Sequence, residues 1–540
     1  MSASKIDTQI PGEPALDTEV IIVGAGILGI HQLHRALQEG FSATVLEAGD
    51  GVGGVWYWNR YPGARLDSES YTYGYLLTKE LFEGWKWSEL FAAQPENEAY
   101  LNYAVDQLGL RQHIQFGARV TSATYDESSG SWLVRLDNGQ EMRCRFLISA
   151  TGPLSAPIFP SIPGREDFEG ISHHTGQWPK EPVDFRGKRV AVIGTGASGV
   201  QVIPAIADEV ASVTVYQRTP NWCTPLNNRP LSAEEHSSLN AEFENMREAL
   251  KESGSGFLHE VSDRAALDDP KEVRLATYEK MWNSPGFAKF GAFYSDITRN
   301  KAVNDEFSEF IANKIRAIVN DPATADKLIP TDHGWAGKRP PFVTNYYEAF
   351  NKPNVSLIDT ESTPIVRVTE RGIETTDGSH DFDIIVWATG FDFGTGSLVR
   401  MGIRGRDGRA LEDHWADGPS TYAGTMAHGF PNFFFIAGPH GSAGNVPRYG
   451  EHQIDFITDL IRYARDNGHT EIDVPVEIEN KWNAMVDEYE VYSSFGKHSF
   501  FYGANVEGKA TKFLSNPGGR QALKKHYDEA VESKYNGFFA

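Results

Sequence analysis

The chain has 540 residues, of which 40% are hydrophobic and 23% charged, so it is a globular protein too long for one hydrophobic core. Its formal net charge of -23, with no basic patch to offset it, disfavours binding to nucleic acid or to an anionic membrane surface. The cysteines Cys144 and Cys223 lie far apart in sequence, which argues against a disulfide scaffold, a zinc site or a dithiol redox centre.

The segment from Met1 to Asp17 is polar and contains two prolines, so we expect a short flexible lead-in without a targeting signal. No run of about 18 apolar residues occurs, and no membrane-spanning helix is expected. We expect a cytoplasmic protein, monomeric or weakly self-associating, that acts on small molecules and has neither nucleic-acid nor membrane partners.

A dinucleotide-binding pattern begins at the apolar run Val20 to Val23, which predicts a strand and leads through glycines into an amphipathic helix. A second apolar run, Ala43 to Leu46, ends in Glu47, 23 positions after Gly24. Glycines let the backbone approach a pyrophosphate, and the carboxylate accepts hydrogen bonds from ribose hydroxyls. A glycine turn that merely packs a helix on a sheet is the alternative. The residues predicted to hold FAD are Gly24, Gly26, Gly29 and Glu47.

The pattern recurs from Arg189 to Ile193, a predicted strand followed by a second glycine turn and a helix. The next strand, Val213 to Tyr216, leads into Gln217 instead of an acid. A guanidinium and a hydroxyl follow, which favour the 2'-phosphate of NADPH over NADH. A solvated surface arginine is the alternative. The predicted NADPH contacts are Gly194, Thr195, Gly196, Ala197, Ser198, Gly199, Arg218 and Thr219.

Two later segments resemble each other, and each ends in Ala-Thr-Gly. Both are predicted as a hairpin insertion with a return strand: Ser131 to Leu136 with Arg145 to Ser149, and Ile373 to Thr375 with Asp383 to Trp387. Such a duplication suits an enzyme that passes hydride between two bound cofactors.

The stretch from Leu231 to Pro330 is polar and helix-prone, which predicts an inserted helical subdomain. Apolar residues at helical spacing within it are interpreted as core: Phe307, Ile311, Ile315 and Ile318. The aromatic run after Phe430 predicts a buried strand that returns to the first fold. The predicted class is α/β, with two Rossmann-like dinucleotide-binding domains, hairpin insertions and the helical subdomain. The expected order is FAD-binding 1–152, NADP-binding 153–230, helical 231–330, NADP-binding 331–390 and FAD-binding 391–540, including a mobile late loop.

Two longer motifs are similar to those of type I Baeyer-Villiger monooxygenases, and the resemblance spans nearly the whole chain. One runs from Gly53 through Gly63 to Asp67. The other, before the second glycine turn, consists of Phe168, Gly170, His174, Trp178 and Pro179. The resemblance implies an oxidoreductase that uses FAD, NADPH and O2 to convert ketones to esters or lactones through a flavin peroxide.

The resemblance also implies residue roles. Arg339 is expected to stabilise the transition state, because a guanidinium stays protonated at any working pH, and Asp67 is expected to position it. Lys338 is expected to contact the 2'-phosphate, although an exposed basic pair in a loop is the alternative. His174 either links two domains or takes part in chemistry, and Trp178 with Pro179 is expected to be a rigid anchor.

Further cofactor contacts implied by the resemblance are Val55, Trp56, Trp58, Tyr73, Val120, Gln201, Val446 and Phe500. Phe500 departs from the family pattern, since many relatives carry Trp there, and the change removes an indole N–H from the loop expected to fold over NADP+. Alternative functions are oxidation of amine nitrogen or sulfide sulfur, uncoupled NADPH oxidation, and flavin-based sensing. The ketone itself is not identified by the sequence.

Overall fold

The structure, a computed structural model, describes residues 15–259, 262–290, 292–441, 443–491, 493–516 and 518–539. The predicted lead-in falls largely outside these ranges. The strands are β1 Thr18–Val23, β2 Ala43–Leu46, β3 Ile114–Gln115, β4 Val120–Asp126, β5 Ser131–Leu136, β6 Glu141–Ser149, β7 Ile171–His174, β8 Arg189–Ile193, β9 Ser212–Gln217, β10 Thr224–Pro225, β11 Phe342–Val343, β12 Val355–Asp359, β13 Ile365–Thr369, β14 Gly372–Thr375, β15 Gly378–Asp381, β16 Ile384–Trp387, β17 Ile403–Arg404 and β18 Phe433–Phe435.

The α-helices are α1 Ile27–Gln38, α2 Val55–Trp58, α3 Ser70–Tyr73, α4 Lys79–Glu83, α5 Gln94–Gln107, α6 Gly199–Ile206, α7 Ala233–Ala241, α8 Phe243–Glu252, α9 Lys271–Asn283, α10 Lys301–Ile318, α11 Pro322–Lys327, α12 Tyr346–Ala349, α13 Gly396–Arg400, α14 Leu411–His414, α15 Val446–Asp466, α16 Val476–Glu490 and α17 Gly519–Glu532. In the described part of the chain, no helix combines the length and apolar character needed to cross a membrane.

The first sheet forms around β1 and has the strand order β17-β4-β5-β6-β1-β2-β3. Val20, Ile21 and Ile22 of β1 are fully buried, which is typical of a parallel strand covered on both faces. β18 pairs in parallel with the end of β6. The aromatic run after Phe430 therefore returns to the first sheet, as predicted.

The second sheet is parallel throughout and has the order β12-β9-β8-β16-β7. β8 and β9 match their predicted bounds to within one residue at each end. The helix α6 follows the second glycine turn, as α1 follows the first. The α/β class with two Rossmann-like folds is confirmed.

Both predicted hairpins form, but the second arm of each lies earlier in the chain than predicted. In each repeat, the residues directly after the turn form the second arm: 141–144 of β6 pair with β5, and β15 pairs with β14. The apolar residues assigned to those arms instead join the parallel sheets, where the second half of β6 lies beside β1 and β16 lies between β8 and β7. Continuous apolar runs fit a strand buried on both faces better than a hairpin with one face in solvent.

The described part of the helical insert packs against both folds. Fully buried on α10, as predicted, are Phe307, Ile311 and Ile315, and Ile318 is half-buried. These side chains share one core with the second sheet. On α8, Phe243 packs against Leu76, which follows the first fold's helix α3. The insert therefore bridges the two nucleotide folds.

Candidate active site

The first glycine turn lies between β1 and α1. Gly24 has a φ of +105°, and a Cβ there would lie 2.9 Å from the Ala150 carbonyl oxygen. A Cβ on Gly29 would lie 1.8 Å from the Gly24 oxygen, whereas Gly26 faces no closer atom than the Gly54 Cα at 3.4 Å. The outer two glycines are thus needed for packing, and the middle one leaves room for a ligand.

Glu47 lies at the end of β2, where the sequence predicts it, and is 4% exposed. Its carboxylate accepts hydrogen bonds from the N–H groups of Ala25 at 2.7 Å and Gly49 at 2.8 Å. Burial raises its pKa, and these two hydrogen bonds oppose the shift. Glu47 therefore holds the turn in shape, and its contact with a ribose stays a prediction.

The second glycine turn repeats this geometry. Gly194 has the same φ of +105°, and a Cβ there would lie 2.5 Å from the Ala388 oxygen, while a Cβ on Gly199 would lie 2.1 Å from the Gly194 oxygen. A Cβ on Gly196 would meet nothing within 4 Å. Each Ala-Thr-Gly segment therefore backs one glycine turn, and the middle glycine is the least crowded of the three in both turns.

Arg218 and Thr219, two of the groups expected at the 2'-phosphate, follow β9 next to this turn. Arg218 is exposed, and none of the hydrogen bonds or ion pairs found among the described residues engages its guanidinium. The Thr195 hydroxyl donates to the Thr219 carbonyl oxygen at 3.4 Å. Gly196 and Ala197 are exposed and Ser198 is half-buried. Lys338 lies 3.2 Å from Asp332, and its contact with a phosphate stays a prediction.

Arg339 and Asp67, which are 272 residues apart in sequence, form an ion pair in which the guanidinium donates to the carboxylate. Their side chains are 24% and 21% exposed. The guanidinium carbon of Arg339 lies 5.4 Å from the centre of the Phe287 ring, and the Arg339 carbonyl oxygen accepts a hydrogen bond from the Asn221 amide at 2.9 Å. The pair is thus fixed on several sides and partly shielded from water.

Tyr61 connects this pair with the second glycine turn. Burial raises its pKa to about 12, with smaller effects from the Ser198 hydroxyl, Asp67 and Arg339, all of which lie nearby. The Tyr61 hydroxyl donates to the side-chain oxygen of Gln201 at 2.8 Å. The catalytic candidates therefore lie beside the second nucleotide fold, although Asp67 belongs to the first.

The motif from Gly53 to Asp67 forms the helix α2 and its exit. The Trp56 indole donates to the Tyr73 hydroxyl at 2.9 Å, and burial raises the pKa of Tyr73 to about 12. Val55 is 37% exposed, and Val120 is buried in β4. The Trp58 carbonyl oxygen accepts a hydrogen bond from the backbone N–H of Trp178 at 3.2 Å. The two family-like motifs thus contact each other.

His174 lies beside the two segments, near residues 158 and 390, through which the chain passes from one sheet to the other. The two crossings pair with each other, the Ile158 N–H donating to the Gly390 oxygen at 3.0 Å. His174 is 2% exposed and lies between the rings of Phe159 and Phe391, at 5.1 and 5.5 Å. Burial lowers its pKa to about 4, so the ring is neutral near pH 7. This environment favours the structural interpretation of His174.

The other residues of that motif also make packing contacts. A Cβ on Gly170 would lie 2.5 Å from the Phe168 ring, so this position has no room for a side chain. Trp178 is 7% exposed, and its ring stacks on Phe185 with a centroid separation of 6.2 Å. Pro179 follows it at a half-buried position. The predicted anchor role fits these contacts.

The late loop, residues 493–514, lies against both the crossing and the Arg339 segment. The Gly496 N–H donates to the Gly337 oxygen at 2.7 Å, and the Asn505 amide donates to the Phe391 oxygen at 2.9 Å. The Phe500 ring lies 4.2 Å from that of Phe501. Val446 is the first residue of α15 and is half-buried. The aromatic packing expected of Phe500 is present.

Known proteins resemble this chain over nearly its whole length. A model for flavin-binding monooxygenase-like proteins, FMO-like, matches residues 17–229. A 2-oxo-Delta(3)-4,5,5-trimethylcyclopentenylacetyl-CoA monooxygenase of Pseudomonas putida is 43% identical, covering 97% of this chain and 98% of the relative. A Baeyer-Villiger monooxygenase of Pseudooceanicola batsensis is 38% identical and covers 93% of each chain. The chain belongs to the Baeyer-Villiger monooxygenase family.

Two further comparisons define its place in this family. The solved structure of OTEMO in complex with FAD and NADP has a TM-score of 0.92 and 42% identity, covering 97% of this chain and 99% of that one. Phenazine N-monooxygenase PhzNO1 of Lysobacter antibioticus is 38% identical, covering 96% of this chain and 96% of the relative. The chain is thus also similar to a relative that is named for oxidation at nitrogen.

The sequence did not predict two residues that contact Arg339, Phe287 and Asn221. Phe287 lies under Arg339 but comes from the helical insert, and no motif marks it. Asn221 follows Arg218 closely and was a detectable candidate, because it is polar and stands just past a strand end. Gln201 was assigned to the cofactor, whereas its side chain here contacts Tyr61 and the Arg65 carbonyl oxygen.

Proposed function

We propose that this chain is an FAD- and NADPH-dependent monooxygenase that converts ketones and O2 to esters or lactones, with Arg339 and Asp67 as its catalytic pair. The observation that carries the proposal is the contact between these two side chains beside the second glycine turn. A soluble, cytoplasmic enzyme is proposed as well, because the net charge is -23 and both cysteines are buried free thiols.

The residues present fit both cofactors. Gly196 leaves open space, and Gly26 faces only the Gly54 backbone at 3.4 Å, where a pyrophosphate would approach a helix N-terminus. Glu47, which carries spare acceptor capacity, suits the ribose of FAD. Arg218 is exposed and is proposed to hold the 2'-phosphate of NADPH, together with Thr219 and Lys338. The OTEMO complex, which contains FAD and NADP in a chain of the same fold, supports this assignment.

FAD, reduced by NADPH, supplies the oxygen chemistry, and the chain's own residues hold charge and exclude water. The Arg339 guanidinium stays protonated at any working pH, so it stabilises negative charge on a ketone oxygen without giving up a proton. Asp67 fixes the plane of that guanidinium through its ion pair. The late loop covers the Arg339 segment through Gly496, which keeps water away from the reaction.

The proposal is tested with purified enzyme, NADPH, a ketone panel and oxygen-18 gas. The wild type is expected to give an ester or lactone that carries one labelled oxygen. Arg339→Met is expected to lose roughly 100-fold or more of this activity while still binding FAD and accepting hydride from NADPH, and Asp67→Asn is expected to lose less. Arg111→Met serves as a control, because Arg111 forms a surface ion pair with Asp106. Hydrogen peroxide as the sole product with every ketone would overturn the proposal.

Oxidation of a ring nitrogen is the second candidate function, and the relationship to phenazine N-monooxygenase PhzNO1 favours it. Both reactions need the same nucleotide sites, so the product distinguishes them. The same assay with phenazine or a sulfide is expected to give little N-oxide or sulfoxide compared with the ester from a ketone. The reverse order would assign the chain to heteroatom oxidation.

A further inference from the structure

Gln201 lies in the first turn of α6, two residues after the last glycine of the second turn. Its side chain points back to the first fold and uses both ends of its amide there. The oxygen accepts a hydrogen bond from the Tyr61 hydroxyl at 2.8 Å, and the nitrogen donates to the Arg65 carbonyl oxygen at 3.1 Å. One side chain of the second fold thus holds two points of the segment that leads to Asp67.

The backbones of α6 and of the segment before Asp67 also lie close together. A Cβ on Gly63 would lie 2.4 Å from the Gln201 carbonyl oxygen, so no other residue fits at position 63. On the opposite side, the Leu66 N–H donates to the Ala92 oxygen at 3.0 Å, and the Arg65 guanidinium donates to the Phe91 oxygen at 2.7 Å. The segment before Asp67 is therefore held between α6 and residues 91–92.

The other half of the ion pair is tied to the same fold. The carbonyl oxygen of Arg339 accepts a hydrogen bond from Asn221, which follows β9 and the proposed phosphate contact Arg218. Arg339 is thus bonded directly to an element that borders the proposed NADPH site, and Asp67 is connected to one through Arg65, two residues before it.

We propose that Gln201 is a positioning residue that holds Asp67, and through it Arg339, at a fixed place relative to the second nucleotide fold. This inference rests on the proposed function. It gives Gln201 a different role from cofactor contact: the amide aligns the ion pair with whatever is bound at the second glycine turn. Misplacement of a catalytic group by about 1 Å is enough to lower a rate roughly 100-fold.

Three variants separate the two hydrogen bonds. Gln201→Leu removes both. Gln201→Glu keeps the acceptor for Tyr61 but places a carboxylate oxygen against the Arg65 carbonyl oxygen, where no hydrogen bond forms. Tyr61→Phe removes a single hydroxyl from a ring that is 8% exposed and otherwise fills the same space. Gln107→Leu, at an exposed position on α5, is the matched control.

Four quantities are measured for each variant: kcat for ester formation, the fraction of NADPH consumed that yields ester instead of hydrogen peroxide, KM for NADPH, and the melting temperature. Gln201→Leu is expected to lower kcat and the ester fraction about tenfold, with KM for NADPH within about twofold of the wild type. Tyr61→Phe is expected to lower them about threefold, and the control to leave them unchanged.

The outcomes are distinguishable. A rise in KM for NADPH with unchanged kcat would overturn the inference and assign Gln201 to the cofactor. A lower melting temperature with unchanged kcat and ester fraction would also overturn it, because the role would then be structural. If Gln201→Leu does not fold, an unchanged ester fraction in Tyr61→Phe overturns the inference by itself. Failure of the wild type to make ester would instead contradict the proposed function.

Discussion

The backbone N–H of Trp178 donates a hydrogen bond to the carbonyl oxygen of Trp58 at 3.2 Å. Trp58 ends α2, in the motif that leads to Asp67, and Trp178 lies next to the end of the motif that precedes the second glycine turn. The residues that most specifically mark the Baeyer-Villiger family thus meet between the two nucleotide folds. Their contact is one of several that join the two folds.

Trp178→Ala is expected to destabilise the chain by about 3–5 kcal/mol, because it removes a large buried ring that stacks on Phe185. Trp178→Phe keeps an aromatic ring against Phe185 and is expected to cost less. The measurement is the midpoint of urea unfolding, followed by circular dichroism. An alanine variant as stable as the wild type would show that the indole does not hold this contact together.

Two glycines of the second turn are expected to have different roles, Gly199 in stability and Gly196 in NADPH binding. Gly199→Ala places a Cβ 2.1 Å from the Gly194 oxygen and is expected to lower the stability by about 1–3 kcal/mol. Gly196→Ala meets nothing within 4 Å, so its stability is expected to equal that of the wild type, while KM for NADPH rises because the methyl group blocks the pyrophosphate. Thermal melts and NADPH kinetics check both variants. An unchanged KM in Gly196→Ala would place the pyrophosphate elsewhere.

Arg218→Ala is expected to raise KM for NADPH roughly tenfold to 100-fold and to leave KM for NADH nearly unchanged, because the guanidinium is proposed to bind only the 2'-phosphate. Steady-state kinetics with the two nucleotides measure the ratio. Lys86→Ala, which removes another exposed cation, is the control. An equal loss with NADPH and NADH would show that Arg218 does not select the phosphorylated ribose.

The glycine turns could be predicted because local rules determine them. A buried apolar strand, glycines at fixed spacing and a residue at the next strand end suffice to place Glu47 and Gln217, and both lie at the ends of their strands. The family resemblance predicted that Arg339 pairs with Asp67. The two residues are 272 positions apart, and their spacing alone does not reveal the contact.

Contacts between distant segments were not predictable in the same way. The return strands were assigned to hairpins because an apolar run after a turn fits both a hairpin arm and a buried parallel strand. The two possibilities are distinguished only by the strands that lie beside the run in the folded sheet. The side-chain amide of Gln201 can form a hydrogen bond either with a nucleotide or with a backbone carbonyl group. Its partner Arg65 comes from the other fold, so the fold had to be assembled before that contact became visible.

The acid stability of the protein is expected to depend on His174. Its pKa is lowered by burial to about 4, below the value near 6.5 of an unfolded histidine. Between these values the unfolded chain binds more protons than the folded chain, so the free energy of unfolding falls as the pH drops from about 6.5 towards 4. The contribution of His174 to the free energy of unfolding is expected to be about 2 kcal/mol smaller at about pH 5 than at neutral pH.

His174→Asn tests this dependence, because its side-chain oxygen can accept the hydrogen bond that Gly176 N–H now donates to the His174 Nδ1 at 2.9 Å. Urea unfolding at about pH 5 and about pH 8 is expected to show a smaller loss of stability on acidification in the variant than in the wild type. His380→Asn, on the exposed strand β15, is the control and is expected to follow the wild type. Equal losses in His174→Asn and the wild type would mean that folding does not lower the pKa of His174, and would contradict a ring kept neutral by burial between Phe159 and Phe391.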